Sequence, residues 1–184
     1  MKAEGTNDRQ APDLRYPVGK FEAREKLDAP GRLALIESIA ALPARLMAAV
    51  AGLSPEQLDA PYRPEGWTVR QVVHHLADSH LNGYLRFKLA LTETEPTIKP
   101  YEEGEWARLE DARTADPEVS LALLESLHRR WVMALGAIRP EEWGRTLRHL
   151  ERGVMTLDAN LQLYEWHARH HVAHITGLRE RSGW

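Results

Sequence analysis

The chain has 184 residues, 43% hydrophobic and 28% charged, enough for one domain around a single core and too few for two large ones. A formal charge of −3 leaves no basic surplus to neutralise phosphates, which excludes nucleic acid as a generic partner. There is no cysteine, so disulfides, thiolate ligands and a cysteine nucleophile are excluded together, and any metal must be held by His, Asp or Glu.

Residues 1–13 are polar, lack the apolar core of a signal peptide and are expected to form a flexible tail. Residues 14–184 are expected to form one domain, in the cytoplasm. Leu14 to Pro30 reads as an ordered, irregular arm carrying Tyr16, Pro17, Gly19 and Phe21. From Arg32 to Ala51 the apolar residues Leu35, Ile39, Leu42, Leu46 and Val50 recur at helical spacing, with Pro43 bending the helix. Glu37, Pro43 and Arg45 interrupt this apolar stretch, so no membrane partner is expected. Ser54-Pro55 starts a helical turn, and Pro61 to Gly66 is a loop.

Thr68 is an N-cap for a second long helix reaching about Thr92, and Glu102 to Asp111 reads as a short helix. Asp116-Pro117 opens a third long helix with Leu121, Leu124, Leu127, Trp131, Leu135 and Ile138 along one side, ending by Pro140. Two short runs around Glu151-Arg152-Gly153 are compatible with a small β-hairpin. A fourth helix spans about Asp158 to Arg181. The fold expected is all-α, a four-helix bundle with long crossover connections.

Seven of the nine histidines fall in the windows 74–80 and 167–174. At about 100° per residue, His167 and His171 point into the same face as Tyr164, Ile175 and Leu178, with His174 slightly off-centre and His170 on the flank. A lone histidine on such a face is ordinarily a packed core residue. An i, i+4 pair can converge on one metal ion. On the second helix, His75 lies beside a polar seam of Gln71, Asp78, Ser79, Asn82 and Arg86, whereas His74 and His80 fit less well, His80 pointing about 140° away.

His75 with His167 and His171 would make a three-His site, the ligand count that leaves positions open for substrate. All-nitrogen ligation suits Zn²⁺ or Ni²⁺ better than Mg²⁺ or Ca²⁺, without choosing between the first two. In the seam, Asp78 is the candidate to manage protons, and Asn82 and Arg86 are candidates to orient a small molecule, Arg86 as a carboxylate partner.

Several uncommon strings occur in order: Tyr16-Pro17-Val18-Gly19, Gly66-Trp67-Thr68, Val73-His74-His75-Leu76-Ala77-Asp78, Arg86-Phe87-Lys88-Leu89, Pro96 to Tyr101, and Trp166-His167-Ala168-Arg169-His170-His171. From Leu14 to Trp184 the chain resembles the YfiT-type metal-dependent hydrolases of the DinB-like superfamily. The resemblance implies a DinB-like bundle, a homodimer, and one divalent metal, nickel or zinc, on His75, His167 and His171. It also implies a bacillithiol S-transferase activity as an alternative to hydrolysis. The expected partners are therefore a small thiol with an electrophile, or a hydrolysable small substrate. A three-His metal serves either, by acidifying a thiol or by making hydroxide available. Thiol transfer is the preferred reading because it needs no separate protein nucleophile. A non-enzymatic metal- or thiol-binding bundle is the remaining alternative.

Overall fold

A computed structural model describes residues 13–24 and 26–184; the expected tail, apart from Asp13, lies outside the described residues. The helices are α1 (Ala29–Ala40), α2 (Leu42–Val50), α3 (Pro55–Leu58), α4 (Val69–Thr92), α5 (Glu103–Trp106), α6 (Glu110–Thr114), α7 (Pro117–Gly136) and α8 (Leu157–Ser182), with a 3₁₀ turn at Pro140–Gly144. The consecutive α1 and α2 form one member of a four-helix bundle. They pack on α7 and α8, and α4 packs on the same two helices.

Each long helix begins where a side chain satisfies free backbone N–H groups. Asp28 accepts from Gly31 N at 2.8 Å, Thr68 and Gln71 form a reciprocal capping box, Asp116 accepts from Glu118 N, and Thr156 accepts from Ala159 N. Pro43 does more than bend the first helix. It cannot donate a backbone bond, and the chain breaks at Ala41 into α1 and α2. The segment Ala29–Val50 is long and apolar enough by composition to cross a membrane, but it buries Ile36, Ile39, Leu42 and Leu46 in the bundle.

The expected short helix at 102–111 is two, α5 and α6. The hairpin is present as β2 (Thr146–His149) and β3 (Gly153–Thr156), with Gly153 at φ 75° closing its turn. Thr97–Ile98, unforeseen as a strand, adds β1 parallel to β2, giving the order β1-β2-β3. Two residues carry no readable period-two pattern.

Two apolar clusters fill the bundle. One contains Phe87, Trp131, Leu157, Leu161 and Tyr164, the other Leu46, Val72, Leu76, Leu124 and Ile175. Between their levels, His80 on α4, His128 on α7 and His167 on α8 form a polar layer across the interior.

Gly83 lets α4 pack closely on the first of these apolar clusters. A Cβ there would lie 2.6 Å from the Tyr164 ring and 2.7 Å from Trp131, two rings already wedged edge to face at 5.3 Å. Alanine favours helix over glycine by about 1 kcal/mol, whereas overpacking a core costs about 1–3 kcal/mol. Gly83→Ala is therefore expected to lower stability by about 1–2 kcal/mol in chemical denaturation. Gly136→Ala, where an added Cβ meets nothing within 4 Å, is expected to leave it unchanged or raise it.

Candidate metal centre

His167 and His171 stand one turn apart on α8, and His75 reaches them from α4. The Nε2 atoms of His75 and His167 are 3.1 Å apart, and one ligand nitrogen from each of the three rings lies within 4.8 Å of the others. Trp67 packs over His75 and stacks on His171. Burial, then the neighbouring histidines, hold all three well below the ordinary imidazole range, His75 at about 3. At neutral pH these are uncharged rings with lone pairs to offer.

The donor set suits a transition metal. Nε2 atoms 3.1 Å apart cannot both carry a proton aimed at the other, and Nδ1 of His171 is buried without a hydrogen-bond partner. A divalent ion held by three neutral imidazoles resolves the crowding, and nitrogen-only ligation matches zinc or nickel chemistry.

The three histidines line a cavity of about 450 Å³. The irregular arm packs against two of its lining residues, Trp166 and His170. Trp166 Nε1–H donates to Gly19 O at 3.1 Å, Phe21 packs on Trp166, and Tyr16 faces His170. His170, placed on the flank by the helical wheel, and His174, placed slightly off-centre, are both buried and both line the cavity. Trp166 stacks on His170, and Tyr62 stacks on His174 at 3.9 Å. With His171 they form a second group of ligand nitrogens within 4.8 Å.

The proposed polar seam divides. Arg86 is 8% exposed, lines the cavity, donates from a terminal nitrogen to Tyr164 Oη at 3.0 Å, and keeps a buried Nε with no partner. Asp78 is not among the lining residues. It is half-buried, and burial, then the Asp111 carboxylate of α6, pushes it up to about 6. Asn82 also lies off the cavity and donates to Asp78 O one turn back on its own helix. Gln71 is occupied by the capping box and by Ala107 O at 2.6 Å. The seam reading took this face as one surface, but Arg86 lines the cavity and Asp78 does not, lying instead where Asp111 of α6 acts on it.

His80 also departs from the wheel. It is fully buried, and its Nε2 lies 3.4 Å from Nδ1 of His167, so its substitution by alanine is not the neutral change that its direction on α4 suggests. The wheel refers every side chain to one core direction, whereas α4 is enclosed by α7 and α8 on different sides. His74 serves structure, bonded to Ser120 Oγ and facing Ala115 O.

Ser79 of the seam and Tyr164 of the core face both line the cavity, and sequence reasoning missed Tyr101, His149 and Arg152. Tyr101 ends the Pro96 to Tyr101 string, but nothing local to it indicates that the α4–α7 crossover folds back over the site. Burial raises the hydroxyl pKa of both Tyr101 and Tyr164. Both stay protonated, available as donors.

Residues 38–175 match the family model of the DinB superfamily. The chain is 48% identical over 173 residues, 94% of its own length and 97% of the relative's, to the Bacillus subtilis (strain 168) protein named "Putative metal-dependent hydrolase YfiT". It is 51% identical over 172 residues, 94% and 99% of the two lengths, to a Bacillus cereus (strain 03BB102) protein of the same designation without the gene name. The solved structure of the Bacillus subtilis protein, described as "a probable metal-dependent hydrolase with an unusual four-helix bundle topology", superposes with a TM-score of 0.91 at 48% identity. The match covers 93% of this chain and 98% of that one.

Proposed function

The chain belongs to the DinB superfamily, and from the site it carries we propose a metal-dependent enzyme that activates a small thiol of the bacillithiol type for transfer to an electrophile. The observation that carries this reading is the pairing of three converging neutral imidazoles with a cavity whose carboxylates, Glu65, Glu103 and Glu151, are all exposed. Hydrolysis ordinarily wants a carboxylate beside the reacting water to manage its proton. A thiol attacks as the thiolate and leaves no such requirement.

His75, His167 and His171 would hold a divalent ion, zinc or nickel, whose Lewis acidity lowers the pKa of a thiol or water brought to its open position. The remaining residues bind and orient. Arg86, cationic and nearly dry, offers unspent N–H donors to a carboxylate or other anion, and Tyr164 adds its hydroxyl beside it. Trp67, Tyr62 and Trp166 present apolar faces for the rest of the molecule.

The test offers bacillithiol, cysteine or glutathione with a chromogenic electrophile to metal-loaded protein, beside a simple ester and with chelator controls. Conjugation faster than in His75→Ala, lost on chelation, supports thiol transfer. Ester or amide cleavage without conjugation replaces it with hydrolysis, the activity in the names of the relatives. Metal binding with neither reaction leaves a binding bundle. Arg86→Met is expected to reduce kcat/KM for an anionic thiol by about 10- to 100-fold, mostly through KM, because a buried charge-assisted hydrogen bond is lost. An uncharged thiol should feel the change far less.

A homodimer is proposed with it, on the exposed apolar residues Leu81 and Leu85 of α4 and Val119, Leu123 and Met133 of α7. Light scattering at micromolar concentration should give twice the monomer mass; monomer alone refutes it.

A further inference from the structure

Behind His167, on the side away from the cavity, a line of hydrogen-bonding groups crosses the bundle. His167 Nδ1 faces His80 Nε2 at 3.4 Å, His80 Nδ1 faces His128 Nε2 at 3.0 Å, and His128 Nδ1 faces the carbonyl oxygen of Ile39 at 2.8 Å. The four residues come from α8, α4, α7 and α1. His80 is fully buried and His128 is 2% exposed, with Trp131 edge-on to both rings. No carboxylate is among their hydrogen-bond partners.

The far end of the line determines every proton in it. A carbonyl oxygen only accepts, so His128 carries its proton on Nδ1. A neutral ring has one N–H, which leaves His128 Nε2 as an acceptor. Both inner rings are buried against Trp131 with no charged partner among the described residues, and a neutral ring is the form such a setting holds. His80 must then donate from Nδ1 and accept at Nε2, and His167 must donate from Nδ1. The only lone pair left on His167 is the one on Nε2, the atom that faces His75.

We propose that His80 and His128 are positioning residues that hold His167 in its Nδ1–H tautomer and so present its Nε2 lone pair to the metal. The proposal rests on the reading of His75, His167 and His171 as metal ligands. It gives the ligand the backing that histidine ligands take elsewhere from a carboxylate or a backbone carbonyl, passed here through two intervening imidazoles to a carbonyl on α1. It also accounts for why such polar rings occupy the level between two apolar clusters.

The deciding experiment reads the tautomers directly, in metal-free protein labelled with ¹⁵N-histidine, by long-range ¹H–¹⁵N correlation. His167, His80 and His128 are all expected as Nδ1–H, although free imidazole side chains favour Nε2–H. An Nε2–H signature for His167 or His80 overturns the proposal, and this measurement needs neither a variant nor any activity. As a second arm, His128→Met removes the acceptor for His80. It is expected to mix the His167 signature and weaken zinc binding by about 10- to 100-fold in chelator competition. His128→Gln, whose amide can donate to Ile39 O and accept from His80, is expected to recover most of that loss. Unchanged zinc affinity in a folded His128→Met protein also overturns it. Wild-type protein that shows the three tautomers but takes up no zinc or nickel refutes the metal reading instead.

Discussion

Protein purified without chelator is expected to carry about one transition-metal ion per chain, and His75→Ala or His171→Ala to carry essentially none. A tetrahedral site that keeps a position open rests on three protein ligands. Deleting one leaves two imidazoles, so the loss should exceed the roughly 10- to 100-fold typical of removing a partner behind a ligand. His174→Ala is the informative control, because His174 belongs to the second histidine group and not to the first. Elemental analysis after dialysis, with circular dichroism to establish folding, separates the outcomes. Metal retained in His174→Ala and lost in His75→Ala places the ion on His75, His167 and His171. The reverse pattern places it on His170, His171 and His174. Equal loss everywhere would discredit both assignments.

Replacing Arg32 by methionine is expected to lower stability by about 3–5 kcal/mol, a fall in Tm of roughly 6–20 °C for a domain of this size. Arg32 grips Asp158 with two bonds, Nε to Oδ1 at 2.6 Å and Nη2 to Oδ2 at 2.8 Å, and lies over the Trp143 ring. The two side chains are 12% and 9% exposed, so water does little to replace a lost partner. Methionine would leave the Asp158 carboxylate unpaired in the first turn of α8, where the adjacent N–H groups offset only part of the cost. The double variant Arg32→Met, Asp158→Leu should recover most of the loss, since removing both charges removes the desolvation penalty. Urea denaturation of the two single variants and the double closes the cycle. Additive losses would show that the ion pair is not what couples α1 to α8.

The metal-ligand pair on α8 was legible in the chain. The i, i+4 spacing of His167 and His171 directs both rings to one side by helix geometry alone, and the Thr68–Gln71 spacing announces the cap that starts α4. Gln71, read as part of the seam, is instead occupied by that cap and by Ala107 O. The four long helical segments and the hairpin around Gly153 follow equally from local rules, whereas Pro43, expected to bend one helix, separates two.

What joins elements distant in sequence belonged to the tertiary structure. Asp78 and Arg86 sit on one helix, yet Arg86 lines the cavity and Asp78 does not, a difference that depends on what packs on each side of α4. Tyr101 and Arg152 reach the site on crossovers whose return path no periodicity records. His128 stands alone among apolar residues of α7, and its role exists only because α1, α4 and α8 bring Ile39, His80 and His167 into line with it. Helical periodicity fixes a side chain's direction about its own axis. Which partner it meets, and hence which nitrogen of His167 is free, depends on how four axes are arranged, and that is settled by the packing of the whole core.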